Sequence, residues 1–277
     1  MLGTASANDF DIQLRPGIDP ELYRTLAKTT VPQVGSITDS AALGTRTLIS
    51  PNWVLTAGHV TRGEPAKTFT TAGGITRTFD TSAAGRVEFG FLDVGLMRLS
   101  SPITEIAPMK LYSIAKYGVE SGAIGNSVLF GGAGNGGDGN TGQNGDHPLK
   151  GVPLVAQTRV TGVDTANYIQ TVFRTPADGA LPLEGGVAQG DSGGGIYFNV
   201  NGEWAIAGVL SYAGAEGDSS NIGKFGSSGG YAPTGAGGAL DFILTHATDA
   251  QIVPEPASLG VLVTASLLAL RRRRARC

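Results

Sequence analysis

From Val31 onward the chain is cut into short apolar runs, each ended by Gly, Pro, Asn or Ser. Val, Ile and Thr crowd these runs, so each reads as a strand. The candidates are residues 33–38, 44–50, 53–56, 67–71, 75–80, 86–89, 94–99, 126–130, 153–160, 166–173, 195–200 and 203–212. Strands this short and this regular fold as a sandwich or a barrel, which makes the expected class all-β. Glycine fits that reading, because 43 of 277 residues is about twice its usual share and supplies many turns.

Two segments depart from the strand texture. Residues 20–26, opening on Pro20, predict a short helix with proline in its first turn. Residues 238–249 place Leu240, Ile243, Leu244 and Ala247 at helical spacing, predicting an amphipathic helix packed on the β-structure. His246 lies on that helix, where a surface or packing role is expected. Residues 131–146 are dominated by Gly, Asn and Asp with Ala133 as the one apolar side chain, so a core-free surface loop is expected. Asp138, Asn140, Asn144 and Asp146 could offer oxygens to calcium, but their spacing matches no EF-hand loop. No metal or cofactor is expected.

The net charge of −3 and the lack of a basic cluster before the last seven residues argue against a nucleic-acid-binding surface. Cys277 stands alone, so intrachain disulfides are excluded and stability must come from core burial.

Three motifs carry chemistry. In the first, Leu48 to His59 (LISPNWVLTAGH), two apolar runs around a Ser-Pro-Asn turn deliver His59 just after a small Ala-Gly pair. In the second, Phe91 to Leu99 (FLDVGLMRL), Asp93 sits in an almost wholly apolar frame. A carboxylate buried there costs several kcal/mol unless it is paired, and a histidine N–H is a suitable partner. In the third, Gln189 to Ile196 (QGDSGGGI), glycines flank Ser192. A serine becomes nucleophilic only when a base takes its proton, and the oxyanion it creates needs donors. The amides of Gly190 and Ser192 can converge to supply them. The chain order His59, Asp93, Ser192 is that of chymotrypsin-type enzymes, and Ser192 is not in a G-x-S-x-G elbow.

These motifs resemble those of the trypsin/chymotrypsin serine protease family. Val128 to Gly134 is similar to the strand entering that family's second barrel, Ser211 to Gly214 to its substrate-binding strand, and Gly229 to Tyr231 to its pocket wall. The resemblance runs from about Val31 to Asp249. It implies two six-stranded antiparallel barrels with a closing helix, divided as residues 31–118 and 119–250. It also implies a polypeptide substrate, with Gly186, Ser211, Tyr212, Ala213 and Gly229 around the substrate side chain. Gly186, six before the serine, stands where a tryptic pocket carries aspartate, so a preference for Lys or Arg is not expected. The family's cysteines are absent. No Ile-Val-Gly-Gly-like activation terminus precedes Val31, which leaves Asp191 without its usual partner.

The two ends read differently. Residues 1–7 end in an Ala-Ser-Ala pattern like a signal-peptidase site, but no charged or long apolar run precedes it. Residues 1–30 are expected to be either a remnant of a signal or pro region, the start then lying inside a longer precursor, or an ordinary floppy terminus. At the other end, Pro254-Glu255-Pro256, the apolar run 257–270 and the arginines 271–274 resemble the PEP-CTERM sorting signal of Gram-negative bacteria. That implies export to the cell surface or beyond, an exosortase-type processing partner, and membrane contact through 257–270. A permanent anchor is the alternative, although the run falls short of the roughly 20 residues of a comfortable span.

The expected function is a secreted or surface serine endopeptidase with Ser192, His59 and Asp93 as its triad. An esterase is one rival. A catalytically idle protease-fold adhesion or matrix protein is the other.

Overall fold

The computed structural model describes residues 12–37, 44–62, 68–113, 127–144, 151–215, 221–235 and 238–254. The signal-like start, the sorting-signal-like tail with Cys277, Asp146, and the acidic residues Glu216 and Asp218 lie outside the described residues.

The first described elements are a two-residue strand, β1 (Gln13–Leu14), and a helix, α1 (Pro20–Thr30). The helix starts where its chemistry allows. The Asp19 side chain accepts from the Glu21 amide, and Pro20 sits at the first turn, where a missing N–H costs nothing. Lys28 complements the other end of the dipole.

Seven strands follow in one curled sheet: β2 (Val34–Ile37), β3 (Thr45–Ser50), β4 (Trp53–Thr56), β5 (Thr68–Thr71), β6 (Thr76–Thr78), β7 (Arg86–Phe89) and β8 (Val94–Arg98). Their order is β6-β5-β2-β3-β4-β8-β7, and a one-turn helix, α2 (Gly58–Thr61), follows β4. Among the described residues the ladder stays open, and an isolated bridge between Phe79 and Leu99 joins the ends of β6 and β8. Inside the curl, alternation fails at Arg46, which is 1% exposed. Its guanidinium lies 5.2 Å from the centre of the Phe79 ring, and burial pushes its pKa down to about 9.

The remaining strands are β9 (Lys110–Leu111), β10 (Ser127–Gly132), β11 (Gly136–Asp138), β12 (Gly142–Asn144), β13 (Leu154–Val163), β14 (Ile169–Val172), β15 (Gly185–Gly186), β16 (Gly195–Val200), β17 (Glu203–Gly214) and β18 (Ser228–Pro233). Six of them close on themselves in the order β16-β10-β13-β14-β18-β17, with β16 pairing back to β17. A helix, α3 (Ala239–His246), packs Ile243 into the core between the two units. Among the described residues no helix is long and apolar enough to cross a membrane.

The expectation of two six-stranded barrels is thus corrected to one closed six-strand barrel and a seven-strand half-barrel. The half-barrel stays open because β6 and β8 meet at one bridge and not along a ladder. A second correction concerns residues 131–146. Instead of a core-free loop, β11 and β12 form a hairpin whose turn is capped by the Asp138 carboxylate, which accepts from the Asn140 and Thr141 amides at 2.8 and 2.9 Å. The hairpin belongs to a four-strand sheet, β12-β11-β1-β15. Backbone pairing holds it, so it needs no apolar side chains of its own.

One apolar cluster joins the two units. It packs Val34, Ile49, Leu55 and Leu96 of the half-barrel against Leu129, Tyr197, Ile206 and Val209 of the barrel. At its centre the buried hydroxyls of Thr47 and Tyr197 share a 2.7 Å hydrogen bond.

Candidate active site

Strand register brings His59 and Asp93 together. Thr56, at the end of β4, pairs with Gly95 on β8. His59 lies three residues beyond Thr56, on α2, and Asp93 two residues before Gly95, in the turn of the β7–β8 hairpin. Both reach the same end of the sheet. The Asp93 carboxylate then grips His59 twice, accepting from the His59 amide through Oδ1 at 2.8 Å and from Nδ1–H through Oδ2 at 2.7 Å.

Burial by itself raises the Asp93 pKa. Hydrogen bonds from the His59 ring, the Ser211 hydroxyl and the His59 amide more than offset it and hold the carboxyl below its ordinary value. With Nδ1 donating to Asp93, Nε2 carries the free lone pair on a half-exposed ring. A cleft of about 420 Å³ opens here, lined by His59, Asp93, Ser211, Tyr168 and the exposed Phe91.

Ser192 comes from the other unit, between β15 and β16. Three contacts fix its segment. The Thr45 amide donates to the Ser192 carbonyl at 2.8 Å, the Gly193 amide donates to Leu210 O at 2.8 Å, and the Leu210 amide donates to Gly194 O at 2.8 Å. Leu210 directly precedes Ser211, so Ser192 and the serine that bonds Asp93 are tied to the same point of β17. Gly193 has φ +83°, and a Cβ there would lie 2.0 Å from Thr56 Oγ1, so only glycine fits against the half-barrel. The Ser192 hydroxyl itself makes no hydrogen bond to His59 among the described residues.

Around Ser192 the backbone donors divide sharply. The amides of Gln189, Asp191, Gly193 and Gly194 all have acceptors. Those of Gly190 and Ser192 have none among the described residues. The Asp191 carboxylate turns inward, wholly buried, and accepts from the Ala188 and Gly134 amides at 2.7 and 2.9 Å. Burial without a countercharge among the described residues drives its pKa well above the ordinary carboxylate value, against the pull of the Ala188, Gly134 and Ala133 amides.

The expected pocket residues also converge. Ala213 pairs with Gly229, and Tyr212 with Gly230. Val187, next to Gly186, packs against Gly229, where a Cβ would meet its methyls at 3.2 Å. A Cβ on Gly186 would begin 2.5 Å from the Phe173 ring, so Phe173 fills the space beneath that glycine. Glu184 is buried, and its carboxylate accepts from the Leu181 and Arg174 amides at 2.6 and 3.4 Å. Sequence reasoning missed three contributions: the Ser211 hydroxyl's hold on Asp93, Phe173 and Val187. Ser211 was visible only as a pocket residue, and nothing in the local pattern around Phe173 or Val187 marks them.

No curated protein matches the chain. A family model does: the one described as Trypsin matches residues 27–233, three quarters of the sequence and both strand units that build the site, so the chain belongs to the trypsin family.

Proposed function

We propose that this protein is a serine endopeptidase working through an acyl-enzyme. Ser192 Oγ attacks the scissile carbonyl while His59 Nε2 takes its proton. His59 then returns that proton to the leaving amine, and the same pair activates water to release the acyl group. Asp93 holds the imidazole in the tautomer that leaves Nε2 free and stabilises the imidazolium formed in each step. The tetrahedral oxyanion is received by the Gly190 and Ser192 amides.

The observation that carries this reading is the two-point grip of Asp93 on His59, which fixes both ring orientation and tautomer. Val187 and Phe173 give the pocket an apolar base, which supports small to medium apolar side chains over Lys or Arg before the cleaved bond. Export, processing by an exosortase-type enzyme and transient membrane contact through 257–270 complete the proposal, on the sequence features of the tail.

The test is covalent labelling with a fluorophosphonate, together with a peptide-library cleavage profile, for wild type and Ser192→Ala side by side. Labelling and cleavage that disappear in the variant support the assignment. A wild-type protein that neither labels nor cleaves is the outcome expected of an idle adhesion or matrix protein.

A further inference from the structure

The N-terminal strand β1 lies in the middle of a sheet, with β11 parallel on one side and β15 antiparallel on the other. Both neighbours lead to the Ser192 segment: β15 runs directly into residues 187–194, and β11 follows Asn135. Gln13, the first residue of β1, is wholly buried. Its Nε2 donates to Asn135 O at 2.8 Å, and the Asn135 amide donates to Gln189 O at 2.7 Å. The other end of Gln189 is held as well, because its amide donates to Gln143 Oε1 at 2.9 Å.

This chain of bonds has a directional consequence. Every described peptide is trans, so the carbonyl of one residue and the N–H of the next point in opposite directions across one plane. With Gln189 O turned toward Asn135, the Gly190 N–H must point away from it, and that amide is one of the two with no acceptor among the described residues. Rotating the 189–190 peptide would remove the oxyanion donor, and the Asn135 bond opposes that rotation. Gly134 permits the approach. A Cβ there would lie 2.4 Å from Gln189 O and 2.6 Å from the Asp191 amide.

Gln13 is also a poor choice for stability alone. Its Oε1 is buried with no hydrogen-bond partner among the described residues, a cost that an apolar side chain of the same length would avoid. We propose that Gln13 is a positioning residue for catalysis, holding the Asn135–Gln189 contact so that the Gly190 amide stays aimed at the oxyanion. The proposal rests on the peptidase reading above, and it makes residues ahead of the matched family region part of the working site.

Gln13→Met keeps length and volume while deleting the donor. The expected result is a fall in kcat of roughly ten- to a hundredfold with KM little changed, since losing an oxyanion donor outright costs about 10²–10³. Affinity for a peptide boronate, whose tetrahedral adduct needs the same amides, should fall by a similar factor, and the melting temperature should hold or rise. Gln143→Met, acting on the other end of Gln189, should shift kcat in the same direction and covers the case in which Gln13→Met fails to fold. Unchanged kcat in either folded variant overturns the proposal, as does an equal loss of kcat, substrate affinity and melting temperature. A wild-type protein without hydrolysis removes the peptidase reading and the proposal with it, an outcome separable from a wild type that cleaves and a Gln13→Met protein that cleaves equally well.

Discussion

The Ser211 hydroxyl donates a 2.6 Å hydrogen bond to Asp93 Oδ2, the oxygen that also receives His59 Nδ1–H. A strand of the barrel thereby braces a carboxylate carried by the half-barrel. Ser211→Ala removes one of the bonds that keep the Asp93 pKa low. A depressed carboxyl stabilises the fold above its unfolded pKa, and that contribution is lost as pH falls through the folded value. In the variant the loss should begin at higher pH, visible as an upward shift in the acid unfolding midpoint. A drop in kcat/KM of about tenfold should accompany it, short of the roughly 10²–10⁴-fold that a general acid or base itself contributes. An unmoved acid midpoint would show that Ser211 contributes nothing to the carboxylate.

His59→Ala and Ser192→Ala should each lower turnover by several orders of magnitude, because members of a triad act as a unit. Far-ultraviolet circular dichroism of both variants should match wild type. Comparable hydrolysis by Ser192→Ala would remove the nucleophile assignment.

Asp191 imposes the opposite pH dependence to Asp93. Its pKa is raised on folding, so between the unfolded and folded values the native state binds more protons. Stability should therefore fall as pH rises across that window, by up to about 1.4 kcal/mol per pH unit, and level off above it. Asp191→Asn should flatten this slope. It should also cost about 1–3 kcal/mol at low pH, because an amide nitrogen would then face a backbone N–H. Urea midpoints measured from pH 4 upward in the Ser192→Ala background, where self-cleavage cannot interfere, test both parts. Parallel curves for the two proteins would contradict the buried-carboxyl account.

Specificity should follow Phe173. Matched peptides with Ala, Leu, Phe, Lys and Arg before the cleaved bond should show kcat/KM favouring Ala or Leu. An unpaired Lys or Arg charge in this apolar pocket costs several kcal/mol. Glu184 cannot supply the missing countercharge without giving up its bonds to the Leu181 and Arg174 amides. Phe173→Leu should move the preference toward Leu and Phe by deepening the base. An advantage for Arg in the wild type would overturn the pocket reading and leave the triad untouched.

Much of the strand framework was legible because side-chain pattern dictates it. The runs 53–56, 86–89 and 195–200 coincide with β4, β7 and β16. His59 and Asp93 stood out because a polar group in an apolar frame demands a partner, and register supplied it. Elements held by backbone alone left no such trace. β1 is two residues long, and the 136–144 hairpin is nearly all glycine and amide, so neither has a periodicity to read. Arg46 escaped notice for a related reason: between two threonines it reads as an outward-facing strand residue, while the half-barrel turns it inward onto Phe79.

The bond from the Thr45 amide to the Ser192 carbonyl has a consequence for the lifetime of such an enzyme among its own copies. The proposed nucleophile and base belong to different units, and this bond, with Gly193 seated on Thr56, is among the contacts that keep them in register. If the proposed triad is right, a molecule whose units part should lose its cutting power with its strands still paired. On the proposed reading, damaged copies would become food for intact ones without becoming predators themselves.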